Sequence, residues 1–409
     1  MTKVPLPDFH SVDVLRGHVA KTMAFYQPNE VDPAGGFFQY FKDDGSVYDR
    51  SHRHLVSSTR FVFNHAMAFL EFGRPEDKAL AMHGLKYLRD VHLNPATGGY
   101  AWTIADGRPD DQMNHCYGLA FILLAYSCGV KVGFDEAKAW QGEIWDLLEK
   151  RYFEPAYGLY RDEADKDWNF TGYRGQNANM HMTEAMIAAW EATKDDRYLD
   201  RALLLAENMT QRQAGLTPQK LVWEHYHSDW TIDWEYNLDN PKHLFRPWGF
   251  QPGHQTEWAK LLMMLDRYTK GTPKHQPWFV STAKHFFDEA LDKAWDTQYG
   301  GIAYGFSPEG DVCDDDKYFW VQAESLGAAQ LLFEATGEKK YDEAYEKIWA
   351  YSWEHFVDHE YGAWYRLLKR NNEKYDDEKS PAGKTDYHTM GACYEIMASL
   401  RRMQERAGA

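Results

Sequence analysis

The run HCYGLAFILLAYS, His115–Ser127, opens on a polar residue and is then apolar on nearly every side. A helix with no polar stripe belongs in an inner layer, covered all round. Five further stretches have the same form. Arg60 precedes FVFNHAMAFLEF and Asn177 precedes ANMHMTEAMIAAW. His254 precedes QTEWAKLLMML, Gln322 precedes AESLGAAQLLFEA, and His388 precedes TMGACYEIMASL. A polar cluster that opens an apolar helix, repeated at comparable intervals, is the mark of a repeat architecture.

A second element alternates with the first. Amphipathic, charged segments such as Glu76–Val91, Asp135–Tyr152, Asp196–Met209, Trp278–Trp295 and Tyr341–Phe356 have the apolar spacing of half-buried helices. Most lead into an acidic or proline turn with glycines and aromatics: HLNPATGGYAW from His92, YFEPAYGLYR from Tyr152, AWDTQYGGIAYGF from Ala294, and FVDHEYGAWYRLL from Phe356. VDPAGGFFQYF from Val31 is another copy, and EHYHSDWTIDWEY from Glu224 takes the remaining place without glycines. Outer helix, turn and inner helix, six times over, predict an all-α (α/α)6 barrel filling residues 1–409 as one domain. A linear solenoid would need polar capping repeats, and neither end has one. The charged stretches 370–384 and 309–317 read as surface loops at a barrel mouth, with Asp314–Asp316 a solvated cluster lacking the glycine and spaced ligands of a calcium loop.

Composition narrows the function. The net charge of −17 argues against a nucleic-acid partner. Four scattered cysteines with no C-x-x-C pair fit a reducing compartment and no zinc site. MTKVPLPDFHSVDV has no apolar core of a signal peptide, so a cytoplasmic protein without a membrane span is expected. Aromatics make up 16% of the chain, enough to fill thick helix layers and also to line a sugar site. No phosphate-cradling glycine motif appears, so no nucleotide cofactor is indicated.

If the six clusters sit at the N-terminal ends of inner helices, they converge on one pocket. His254 and Glu257 are three apart on a helix, as are His181 and Glu184, with Asn177 one turn before His181. A carboxylate beside an imidazole raises its basicity and fixes its tautomer, so Glu257 is expected to tune His254. His388 opens the last inner helix after Lys384 and Asp386. Three histidines at equivalent places in a repeat point to proton transfer. The order is His-x-x-Glu, not the Glu-x-x-His of di-iron bundles, and H-E-x-x-H is absent, so no metal is expected. Arg60 is expected to stabilise an oxyanion. Trp320 offers a stacking face and Gln322 a hydrogen bond to sugar hydroxyls, while His115 and Tyr117 either line the pocket or pack.

PGHQTEWAKLL, NANMHMTEA, WVQAES and KTDYHTMGACYE together closely resemble the N-acylglucosamine 2-epimerase superfamily, over essentially the whole chain. The resemblance tilts toward its aldose–ketose isomerases. It implies an (α/α)6 barrel and cofactor-free acid–base chemistry, with His254 and His388 catalytic. It implies substrate contacts or support from Arg60, Asn177, His181, Glu257 and Trp320. The expected substrate is a monosaccharide of the D-mannose/D-fructose type, with D-lyxose/D-xylulose as further candidates, and the expected assembly a monomer or homodimer. A sulfonated or phosphorylated sugar would need a cationic pocket, for which Lys384 and Arg53 are the candidates. The rival readings are a 2-epimerase on the same histidines, a glycoside hydrolase using two of Glu184, Glu257 and Glu324, and a non-catalytic sugar-binding module.

Overall fold

The computed structural model describes residues 4–243 and 245–408; the first three residues of the N-terminal stretch read above lie outside it. Among the described residues are twelve α-helices, alternating outer and inner. The outer helices are α1 (Val12–Tyr26), α3 (Pro75–Tyr87), α5 (Asp135–Arg151), α7 (Asp196–Glu207), α9 (Phe279–Ala294) and α11 (Lys339–His355). The inner helices are α2 (Leu55–Phe72), α4 (Cys116–Lys131), α6 (Gln176–Thr193), α8 (Pro252–Thr269), α10 (Phe319–Thr336) and α12 (Tyr387–Gly408). Each inner helix packs on the next, and α12 returns to α2, so the ring closes. The (α/α)6 expectation holds. The periodic reading named five of the outer helices; α1 is the sixth.

Inner helices are buried as their sequence requires. Through α4, every residue from Gly118 to Gly129 is covered, and in α8 the burial runs unbroken from Pro252 to Asp266. Local signals set the ends. The His54 ring accepts from the Val56 N–H at 3.1 Å to cap α2, and Gly73 and Gly337 stop α2 and α10 in the left-handed conformation. Pro252 starts α8, where its missing N–H costs nothing.

Two repeated devices tie the ring together. In the first, an amide at the fourth residue of an inner helix grips the backbone of the preceding turn on both sides. Asn179 accepts from Tyr160 N–H at 2.9 Å and donates to its carbonyl at 3.0 Å. Gln255 does the same to Val222, and Gln322 to Ile302. Such turns are otherwise hard to satisfy inside a core. Two residues before the gripped position stands a left-handed residue: Gly158, Gly300 and, in the fourth hairpin, Lys220 with φ 55°. This corrects the sequence reading. The missing glycine turn is the segment around Lys220–Val222, not Glu224–Tyr236, because Gln255 marks Val222 as the gripped residue.

The second device is a girdle of short antiparallel pairings between consecutive hairpins, at the N-terminal ends of the inner helices. His52–His54 pairs with Thr103–Ala105, Asn114–His115 with Glu163–Ala164, and Arg174–Gly175 with His225–Tyr226. Phe250 bridges Phe306, Lys317–Tyr318 pairs with Leu367–Leu368, and Phe41 bridges Ser380 to close the circle. Glu224–Tyr236 therefore belongs to the girdle at the barrel mouth. The loop 370–384 is also not wholly superficial: Lys379 and Lys384 are buried and bonded to Asp358 and Asp386.

Candidate active site

Aligned on their first residues, the inner helices present the same faces to the barrel axis. The sixth positions are Arg60, Phe121, His181, Glu257 and Glu324, with Ala392 on α12. These side chains touch in order round the axis. The Arg60 guanidinium lies 4.5 Å from the centre of the Phe121 ring, Phe121 is 5.0 Å from His181, and His181 Nδ1 is 3.8 Å from Glu257. Glu257 and Glu324 lie side by side with His388, which reaches in from one turn above Ala392 to close the circuit. One helical turn is about 3.6 residues, so the second positions stack above this layer: Tyr117, Asn177, Trp320 and His388. The ninth lie below: Glu184 and Lys260.

His388 is held from both sides. Its Nδ1 is 2.7 Å from Glu324 Oε1, and its Nε2 is 3.1 Å from an Arg60 nitrogen. Guanidinium only donates. Nε2 therefore accepts, and Nδ1–H donates to Glu324: the neutral tautomer, with its basic lone pair on Nε2 and turned to Arg60. Burial pushes the His388 pKa well below the usual imidazole value, and the charges of Arg60 and His181 push it further. His181 is lowered for the first of these reasons too, although Glu184, at 3.3 Å, opposes the shift. Arg60 also donates to the Gly383 carbonyl and to Tyr117 Oη at 3.3 Å. Replacing Arg60 by Met removes a positive charge from His388. The acid limb of the kcat/KM profile is therefore expected to move to higher pH, read by steady-state rates between pH 5 and 8; an unmoved limb would disconnect that limb from His388.

His254 corrects the expected pairing. Its Nδ1 meets both oxygens of Glu224, at 2.9 and 3.0 Å, rather than Glu257. Glu224 comes from the girdle, not from the helix, and Gln176 donates to it at 3.1 Å while accepting from Trp258 Nε1 at 2.8 Å. Glu224 is the residue sequence reasoning missed. It stands in the quoted stretch EHYHSDWTIDWEY, but helical spacing cannot reveal a partner on another element. Glu257 instead belongs to the His181 and Glu324 side. Both its oxygens are buried without a hydrogen bond, and burial, then the Glu324 and Glu184 charges, raise its pKa well above the carboxylate range.

The indole of Trp320 lies between the two histidines, 5.0 Å from His254 and 5.7 Å from His388 at inclinations of 33° and 38°. It rests on α8 at Gly253, where a Cβ would meet the indole at 2.6 Å. Tyr117 adjoins Arg60 and stands 5.0 Å from His181. Asn177 keeps a covered Oδ1 with no protein partner. Two expected contacts are not brought to this group. Gln322 is fully buried with its amide committed to Ile302 and Tyr318, so it has nothing to offer a sugar. His115 sits at the rim, 3.3 Å from Glu163 and against Trp102.

The remaining charges bear on ligands. His181, Glu184 and Glu257, and likewise Glu257, Glu324 and His388, are close enough together to ligate a metal. Lys260 already sits among them, its ammonium 2.6 Å from Glu324 and 3.6 Å from Glu184. Lys242 similarly occupies Asp314–Asp316, at 2.8 to 3.6 Å. Neither candidate for an anion pocket is available: Lys384 is paired with Asp386, and Arg53 with Asp32 at 2.7 Å. No helix among the described residues is long and apolar enough to cross a membrane.

Comparison with known proteins agrees with this geometry. Residues 36–392 match the family model for N-acylglucosamine 2-epimerase. A D-mannose isomerase of Marinomonas mediterranea is 57% identical over 96% of this chain and 99% of its own. A crystal structure of a D-mannose isomerase superposes with a TM-score of 0.94 at 56% identity, covering 97% of this chain and all of that one. A cellobiose 2-epimerase from Spirochaeta thermophila shares the fold, with a TM-score of 0.82 at 23% identity over 96% of this chain and 98% of its own.

Proposed function

The chain belongs to the N-acylglucosamine 2-epimerase family and is a sugar isomerase, and from that premise we propose that it interconverts D-mannose and D-fructose by histidine acid–base catalysis. The observation that carries this reading is a pair of histidines, each with a carboxylate on Nδ1 and each beside the Trp320 indole. An indole stacks on the C–H face of a pyranose. His254, oriented by Glu224, gives a proton from Nε2 to the ring oxygen as the ring opens and recovers one from the O1 hydroxyl as the aldehyde forms. The open aldehyde makes the C2 proton acidic, and His388 Nε2, already a lone-pair acceptor, removes it. Arg60 donates to the oxygens of the resulting cis-enediolate, with His181 beside it. Return of the proton to C1, with the O2 proton passing across to O1 of the cis-enediolate, gives the ketose. Proton transfer of this kind involves no net redox partner, so the reaction as proposed calls for no redox cofactor.

The commitment of Lys384 and Arg53 to internal partners supports an uncharged monosaccharide over a sulfonated or phosphorylated one. D-Lyxose, with the same arrangement at C2, is a further substrate on this reading. The test is a progress curve with D-mannose followed by NMR. Fructose is expected first. Glucose appearing first would make the protein a 2-epimerase, with the proton returned to C2 from the opposite face.

A further inference from the structure

His388 and Arg60 meet where the ring closes, and the turn that brings them together is unusual. Thr385 and Asp386, immediately before α12, both have left-handed backbones, with φ of 48° and 52°. Neither is glycine, and Thr385 is β-branched, a residue type that avoids this conformation. Such strain persists only where the surroundings over-determine it. Here they do. Asp386 accepts from Tyr26 Oη at 2.5 Å and from the Lys384 ammonium through one oxygen, and from Thr389 through the other at 2.9 Å. Asn64 donates to the Thr385 carbonyl at 2.8 Å, and Ser57 accepts from the Gly383 N–H at 2.7 Å. Lys384, Asp386 and Tyr26 are at most 3% exposed.

The same turn serves two functional groups. Its Gly383 carbonyl accepts from Arg60, and two residues beyond Asp386 stands His388. Tyr26 comes from α1, the first helix, and Asp386 precedes α12, the last, so their bond spans the seam of the barrel. An apolar replacement often packs as well as a buried ion pair; what the pair adds is a defined geometry. We propose that Asp386, Lys384 and Tyr26 are positioning residues, a latch across the seam that holds the strained 383–386 turn and thereby sets where His388 and Arg60 stand relative to the sugar. The role rests on the acid–base reading above for its consequence in turnover, but not for its consequence in geometry. Burial takes the Lys384 pKa down to about 8 despite Asp386, as fits an ammonium shut away from water.

The test is Asp386→Asn, which keeps the shape of the side chain and removes its charge. A misplaced acid–base group is expected to lower kcat about 10- to 10²-fold, with KM changed by less than about twofold. A control, Glu149→Gln, loosens the Arg201 pair between α5 and α7 and is expected to leave kcat unchanged. Ring ¹⁵N signals of His388, assigned by their loss in His388→Ala, are expected to move in Asp386→Asn and not in the control. If Asp386→Asn does not fold, Tyr26→Phe, which deletes a single oxygen, is read in the same two ways. Unchanged kcat with unmoved His388 signals would overturn the latch. A wild-type protein that turns over no aldose would instead sink the functional reading, and the ¹⁵N signals would still decide the latch.

Discussion

His388→Ala is expected to leave the barrel folded and to lower kcat about 10²- to 10⁴-fold, the span of a positioned general acid–base group. The fold should survive because His388 contributes no long apolar side chain to the core and its neighbours, Trp320, Tyr387 and Arg60, have other partners. His254→Ala should fall as far, for a different reason. If His254 opens the ring, its loss spares the proton-transfer step itself. A short aldose that cannot cyclise should therefore recover activity with His254→Ala and not with His388→Ala, measured as solvent-deuterium exchange at C2. Equal failure of both variants on that aldose would remove the division of labour. Retention of more than about a tenth of wild-type kcat by His388→Ala would remove the assignment of the base.

The second large effect falls on stability and activity together. Glu324 Oε1 orients His388 while Oε2 holds Lys260 at 2.6 Å, both deep in the barrel. Glu324→Gln strips the charge from that pair and leaves the Lys260 ammonium with Glu184 alone at 3.6 Å. Breaking one side of a buried pair costs about 3–5 kcal/mol, so a clear fall in the urea midpoint is expected, along with loss of turnover. Adding Lys260→Met removes the stranded charge. The double variant should regain most of the stability and none of the activity. Recovery of both would reduce Glu324 to a structural counter-ion.

The same pair shows what a sequence can and cannot disclose. The barrel was legible because inner helices such as Cys116–Lys131 have no polar face and outer ones such as Asp196–Glu207 do. The axial layer was legible in part, since Arg60, His181 and His388 open or enter apolar runs. Lys260 was hidden in plain view in EWAKLL: its reason to be there is a carboxylate on the neighbouring helix. Glu224 was hidden for the same reason, and the three-residue spacing of His254 and Glu257 suggested a pairing that the barrel does not make. Adjacent helix positions share a face, but a histidine ring at the axis reaches whichever element offers its acceptor. Gln322 was misread because polarity at a helix start looks the same whether it faces a pocket or grips a turn.

In the proposed mechanism a side-chain base at the barrel axis carries a proton between C2 and C1. The direct measurement is the reaction of D-mannose in D2O, with the first-formed fructose read by NMR for deuterium at C1. Solvent deuterium is expected at C1 with the wild type, and neither fructose nor exchanged mannose at a comparable rate with His388→Ala. Fructose formed by His388→Ala at a rate near that of the wild type, its C1 carrying the whole of the original C2 hydrogen, would mean a direct hydride shift and would contradict it.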